Sequence, residues 1–373
     1  MKVGFYSPSL QIAGGGEKYF LTVMEEAVKR SQDEVILMSP TPPSPGDWER
    51  LGIAVAPESF SWRRTADRTL IRGTRDLDLF VCMRLVPPLS HAARSVAIVQ
   101  FPARDLFTIR HSRSPQAAAR VLRDALERWI VSAYDLIVCY SDFVWRYAAA
   151  YLGRSDAVVI SPPVDPATAT WPKEPLILGV GRFTEMKRQD VLIDAFHQLL
   201  RSLPADTPWQ LHLAGGLSPD ADPQQYMAHL RRLADGLPVV FHPNASLATL
   251  RGLYERASIF WHAAGLDSEH IPIRQEHFGI TTVEAMNHGC VPVVIALGGQ
   301  PEIVTDGING RLWRSLDELV AQTLELISSP HQRASLGRMA ARSGERFAIE
   351  RFRQQAREII LPSVASRSRN FKL

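Results

Sequence analysis

Two carboxylates, Glu276 and Glu284, stand eight positions apart in the run Glu276-His277-Phe278-Gly279-Ile280-Thr281-Thr282-Val283-Glu284-Ala285-Met286. The pattern predicts Glu276 in a loop and Glu284 about two turns inside the helix that follows. Glu284 then points among Val283, Ala285 and Met286. A carboxylate there needs partners, and a ribose diol would serve. The helix start at Phe278-Gly279-Ile280 offers free amides to an anion. Upstream, Gly179-Val180-Gly181-Arg182-Phe183-Thr184-Glu185-Met186-Lys187-Arg188 ends a strand and sets Arg182 and Lys187 five residues apart before a helix. Cations at a helix start oppose its dipole, which weakens the reading of a plain solvated turn. A diphosphate explains them better. Negative charge grows on it as a sugar leaves, and fixed cations then stabilise the transition state more than the ground state.

Two further loops carry glycines. Gly14-Gly15-Gly16-Glu17 precedes a helix, where glycines let amides approach an anion closely. It has neither the G-x-G-x-x-G spacing of a nicotinamide site nor the lysine of a Walker loop. Leu297-Gly298-Gly299-Gln300-Pro301-Glu302 follows another strand and suits close approach by a ligand.

These loops need a scaffold, and the chain alternates short apolar runs with amphipathic stretches. Strands are expected at 3–7, 34–38, 77–82, 96–100 and 136–140, with helices at 17–30, 115–133 and 143–152. Four prolines between Pro162 and Pro172 then mark a linker. The alternation restarts with strands at 176–180, 209–214, 239–242, 258–262 and 291–296, and helices at 188–200, 224–234, 247–256, 279–288 and 316–327. This is an α/β pattern of two Rossmann-like, doubly wound parallel sheets. We place the domains at 1–163 and 174–345, with 164–173 as linker. A C-terminal helix and tail, 346–373, can cross back to the first domain. Two such sheets facing across a cleft would put the loops after their strands at the ligand.

Composition narrows the classes. The chain has 373 residues, 46% hydrophobic and 22% charged, with a formal net charge of +3. That balance asks for no nucleic acid, which usually requires a concentrated basic stripe. Cys82, Cys139 and Cys290 are scattered and odd in number, as in a reduced cytosolic protein. The start reads straight into a strand, without a signal peptide, and no apolar run approaches a membrane span. Nothing visible requires a metal: no Cys/His cluster has ligand spacing, and no Asp-x-Asp triplet is read in a loop. Basic residues gather at Trp62-Arg63-Arg64 through Arg68, Arg72 and Arg75, and again at Arg104, Arg110, Arg113, Arg120, Arg123 and Arg128. They suit an anionic partner or a peripheral contact with the inner membrane face, and equally a solvated helix face.

In these motifs the chain resembles the retaining GT-B glycosyltransferases of family 4. The match is nearly continuous from about 175 to 313 and thinner in the first domain. It rests on Gly14–Gly16, on Gly181-Arg182-Phe183 with Lys187-Arg188, on the Glu276/Glu284 pair, and on Gly298-Gly299-Gln300-Pro301-Glu302. The resemblance implies a hexosyl transfer from a nucleotide diphosphate sugar, of GDP-mannose or UDP-glucose type. The acceptor would be a glycan, a lipid-linked sugar or a small molecule, with no further cofactor and no metal. It also implies roles. Arg182 and Lys187 would hold the diphosphate, Glu284 the ribose and Glu276 the donor sugar, beside the amides of Phe278, Gly279 and Ile280. Gly15 and Gly16 would line the donor phosphate or the acceptor side, and Asn244 would lie near the base. Many relatives carry a histidine where this chain has Gln100. Glutamine can position a hydroxyl but cannot act as a base near neutrality. A catalytically inactive nucleotide-sugar-binding module and a GT-B nucleotide-sugar epimerase are the alternatives. The sequence sets no oligomeric state.

Overall fold

The computed structural model describes residues 1–8, 10, 14–42, 48, 51–65, 67–84, 87–101 and 125–362. They form two compact units, Met1–Pro163 with Ile349 onward, and Val164–Ala348.

The first unit contains β1 (Lys2–Tyr6), α1 (Gly15–Val28), β2 (Glu34–Ser39), β3 (Ser61–Arg64), α2 (Asp67–Gly73), β4 (Leu79–Met83), β5 (Ser95–Val99), α3 (125–132), β6 (Leu136–Cys139), α4 (Asp142–Leu152) and β7 (Val158–Val159). All seven strands pair in parallel, in the order β3-β2-β1-β4-β5-β6-β7. Every residue of β4 and β5 is buried, which is why β4 is wholly apolar and β5 is apolar after Ser95. Ser141 caps α4 by accepting from the Val144 amide, and Gly153 ends it in the left-handed region.

The second unit contains β8 (Glu174–Val180), α5 (Gln189–Leu200), β9 (Gln210–Gly215), α6 (Ala221–Leu233), β10 (Val239–Pro243), α7 (Leu247–Arg256), β11 (Ala257–His262), α8 (Ile280–Asn287), β12 (Val291–Ile295), α9 (Gln300–Ile303), β13 (Arg311–Trp313), α10 (Leu316–Ser328) and α11 (Pro330–Gly344). Its six strands are also parallel, in the order β10-β9-β8-β11-β12-β13. Two apolar layers, one on each face, enclose this sheet: Phe196, Leu213 and Trp261 lie in one, Leu178, Phe260 and Met286 in the other. The strand order reverses between β8 and β11, and such a switch point opens a crevice at the carboxyl ends of the two strands.

Three readings need correction. Trp62-Arg63-Arg64, part of the first basic cluster and outside every expected strand, forms the edge strand β3. Its exposed charged pattern hid it, since an edge strand carries charge where a central one carries apolar residues. There Arg63 pairs with Asp76 at 3.1 Å and donates to the Gly73 carbonyl at 2.6 Å, so it is structural. The segment 164–173 is not a free linker. Val164 is buried and donates to Phe347 O at 3.1 Å, and Lys173 Nζ donates to Glu255 O at 2.7 Å. Prolines exclude a helix there, but an extended segment with satisfied polar groups can still pack. Helix α11 and strand β13 went unread, the one for its weak apolar face and the other for its three residues.

The segment Ile349–Gln355 (α12) docks on α1. Arg353 pairs with Glu25 at 2.9 Å, and Phe352 meets Tyr19 edge-on at 4.6 Å. All three cysteines are buried and none forms a disulfide among the described residues, and burial pushes the Cys139 and Cys290 thiols up to about 12.

Candidate active site

In the second unit the predicted residues flank the switch point. Strand β8 ends at Val180, and the chain turns through Arg182 into a short 3-10 turn, Glu185–Lys187, before α5. Lys187 Nζ lies 2.6 Å from Glu276 Oε2. The same oxygen accepts from His262 Nε2 at 3.0 Å, and His262 is the last residue of β11. Burial pushes the Glu276 pKa up. The Lys187 charge and the His262 hydrogen bond outweigh it and hold the carboxyl well below the usual carboxylate range. Its backbone is fixed too: Glu276 O accepts from Gly299 N at 2.8 Å.

Arg182 is exposed and makes no ion pair among the described residues. Arg188, by contrast, is spent on Asp267 at 2.8 Å and on the Leu266 carbonyl at 2.7 Å.

Gly279 caps α8 at φ 123°, a conformation that side chains rarely adopt. No side chain caps this helix, and no described group accepts from the amides of Phe278, Gly279, Ile280 or Thr281. These donors and the helix dipole face the same end, as at an anion site. Phe278 itself is buried against Phe347 at 5.2 Å. Glu284 sits one turn further along and accepts from the Tyr254 hydroxyl at 2.8 Å. It is half-buried, so its environment is more polar than the sequence pattern implied. Burial, reinforced by this carboxylate, raises the Tyr254 pKa well above its ordinary value and keeps the phenol a donor.

The glycines after β12 are packed against the backbone of the Glu276 loop. A Cβ on Gly299 would lie 2.7 Å from the Phe278 Cα, and one on Gly298 would collide with the Glu276 carbonyl. Gly298 N donates to the Gln275 side chain at 3.0 Å. The pair therefore presses the 276–278 backbone into place. Asn244 is exposed, and its side-chain amide exchanges hydrogen bonds with the Leu217 backbone at 2.8 and 3.2 Å, which stabilises its positive φ of 53°.

In the first unit Gly15 and Gly16 open α1 after Gly14, again without a side-chain cap. Gln100 follows β5 and lies against Gly16, where an added Cβ would collide with its amide nitrogen. That nitrogen donates to Met83 Sδ at 3.3 Å, and the buried Tyr140 hydroxyl shares the sulfur at 3.6 Å. The structure thus brings Gly16 and Gln100 together, and Lys187 with Glu276. His262 was missed because it ends an apolar strand and matches no motif. Arg104, Arg110, Arg113, Arg120 and Arg123 lie outside the described residues. Arg128 is committed to the Tyr151 carbonyl at 2.9 Å.

Among the described residues no three His, Cys, Asp or Glu side chains are grouped to hold a metal ion. Asp-x-Asp triplets do occur, at 76–78 and 220–222, contrary to the sequence reading. Asp76 is tied to Arg63 and Lys2, and Asp220 accepts from Ser218 at 2.6 Å.

Two all-parallel Rossmann-like sheets, with the site loops at strand ends, define the GT-B fold. Solved structures share it. The Anabaena protein HepE in complex with UDP-glucose superposes with a TM-score of 0.69 at 19% identity, covering 96% of this chain and 98% of its own. A glycosyltransferase from Rickettsia africae gives 0.71 at 15% identity, covering 97% and 99%. At these identities the likeness establishes fold alone. The family comes from the sequence match: residues 165–343 fit the model of the glycosyl transferases group 1, and the second unit is a domain of that family. Among relatives, the D-inositol 3-phosphate glycosyltransferase of Segniliparus rotundus is 26% identical over 284 residues, 72% of this chain and 59% of its own length. The GDP-Man:Man(3)GlcNAc(2)-PP-Dol alpha-1,2-mannosyltransferase of Xenopus laevis is 27% identical over 242 residues, 60% and 48% respectively. The match thus spans little more than half of the first relative and about half of the second.

Proposed function

We propose that this protein is a retaining hexosyltransferase that uses a nucleotide diphosphate sugar of GDP-mannose or UDP-glucose type. The acceptor on this reading is a glycan, a lipid-linked sugar or a small molecule. One observation carries the reading: Lys187, Glu276 and the unpartnered amides at Phe278–Thr281 are assembled at one end of α8, with Arg182 on the Lys187 loop and Glu284 one turn inside. Family membership of the domain and the names of its relatives support it.

In the proposed mechanism the amides, Arg182 and Lys187 take the diphosphate, Glu284 takes the ribose and Glu276 orients the sugar hydroxyls. As the glycosidic bond breaks, the pair of bonding electrons goes to the diphosphate, where the amides and cations stabilise it. The acceptor hydroxyl attacks from the face the phosphate leaves and gives its proton to a phosphate oxygen, so configuration is retained. These groups supply the charge that a metal would otherwise bring. Gln100 positions and does not take a proton. Among the described residues no helix is long and apolar enough to cross a membrane. Buried cysteines outside disulfides fit a cytosolic protein with a peripheral membrane contact.

A thermal-shift screen against UDP, GDP, ADP, TDP and NAD tests the donor site, because a ligand of the folded state raises its melting temperature. We expect selective stabilisation by one nucleoside diphosphate, abolished in Glu284→Ala. Stabilisation by NAD alone, or by none, refutes the reading. Binding without transfer to any acceptor would favour the inactive binding module.

A further inference from the structure

His262 is not accounted for by packing. It is 4% exposed at the end of β11, and its Nδ1 has no partner among the described residues. Its polar contact is Nε2 with Glu276 Oε2, at 3.0 Å. A carboxylate only accepts, so Nε2 carries the hydrogen and donates. This buried imidazole therefore spends its hydrogen bonding on Glu276.

That oxygen already has a stronger partner. Lys187 Nζ is 2.6 Å away, and the two donors reach it from different elements, the turn after β8 and the end of β11. On the glycosyl-transfer reading Lys187 has a second task, because the diphosphate must draw its ammonium. Withdrawing a cation from a largely buried carboxylate is costly unless another donor stays behind. The Glu276 carbonyl is pinned by Gly299, so the carboxylate cannot simply follow the lysine.

We infer that His262 is a positioning residue: it keeps the Glu276 carboxylate aimed at the donor sugar while the Lys187 ammonium turns to the diphosphate. The inference rests on the proposed function. It separates two contributions to donor affinity, since Lys187 serves the diphosphate and His262, through Glu276, serves the sugar.

Titration calorimetry with UDP, UDP-glucose, GDP and GDP-mannose tests this on the full chain. For the base that wild type binds, His262→Leu should weaken the nucleotide sugar about tenfold and leave the nucleoside diphosphate within about twofold, the scale of one hydrogen bond to a charged group. His262→Gln, which restores a donor near the Nε2 position, should recover most of the loss. Circular dichroism checks folding, and if the leucine variant does not fold, His262→Asn, too short to reach Oε2, carries the same expectation. Unchanged affinities, or equal losses for both ligands, overturn the inference. Failure of wild type to bind any of the four overturns instead the reading on which it rests.

Discussion

In the first unit, Gly16 and Gln100 meet because one has no side chain, and the glutamine is steadied by a thioether and a phenol. In the second, Lys187, His262 and Glu276 meet through charge, on one carboxylate oxygen. The first arrangement is held by shape and weak acceptors, so it is sensitive to volume. The second is held by strong directional donors in a shielded place, so it is sensitive to the loss of a single group.

The sharpest way to break this comparison is Glu276→Ala. Turnover should fall by roughly 10²-fold or more, as when a hydrogen bond to a charged group is lost from a transition state. Retention of fold is checked by circular dichroism, and wild-type turnover would remove Glu276 from the mechanism. An intermediate effect is expected for Gly16→Ala. The new methyl meets the Gln100 amide, and overpacking of this kind typically costs about 1–3 kcal/mol. Denaturant melts would show it, and the double variant Gly16→Ala/Gln100→Ala should recover much of the loss. An unchanged midpoint in the single variant would mean that Gln100 simply swings away.

The smallest effect concerns pH. His212 is buried and bonded to His242 at 3.1 Å. Burial, then the nearby His242 and Arg256, depresses its pKa to about 4, from 6.5. The unfolded chain therefore takes up this proton near 6.5, while the folded chain resists it until about 4. The contribution to stability is full above about pH 6.5 and is lost as pH falls from there toward 4. Melting temperatures across that window should decline less in His212→Gln than in wild type. Equal slopes would show that His212 is not the group responsible.

Much of the second unit was legible because its chemistry is local in sequence. Lys187 belongs to one loop, and Glu276, Gly279 and Glu284 to one continuous stretch of loop and helix start, each following a buried strand. His262 was not legible, since a histidine that ends an apolar run looks like any buried strand residue until its neighbours are known. At Gly298 and Gly299 the sequence shows that close approach is needed, and the fold supplies the 276–278 backbone that approaches. That the Asn244 amide closes a turn with Leu217 is a contact the sequence does not announce. In the first unit, β3 escaped because its periodicity is that of an exposed edge, and the proximity of Gly16 to Gln100 exists only through the order β1-β4-β5.

The buried cysteines offer an experimental handle. With Cys82, Cys139 and Cys290 all buried, and two of the thiols pushed to about 12, the native chain should react slowly with maleimide at neutral pH. A single cysteine placed at the exposed Met186, beside Lys187, would then be the preferred labelling point. A dye attached there could follow donor binding in real time without prior removal of the native thiols.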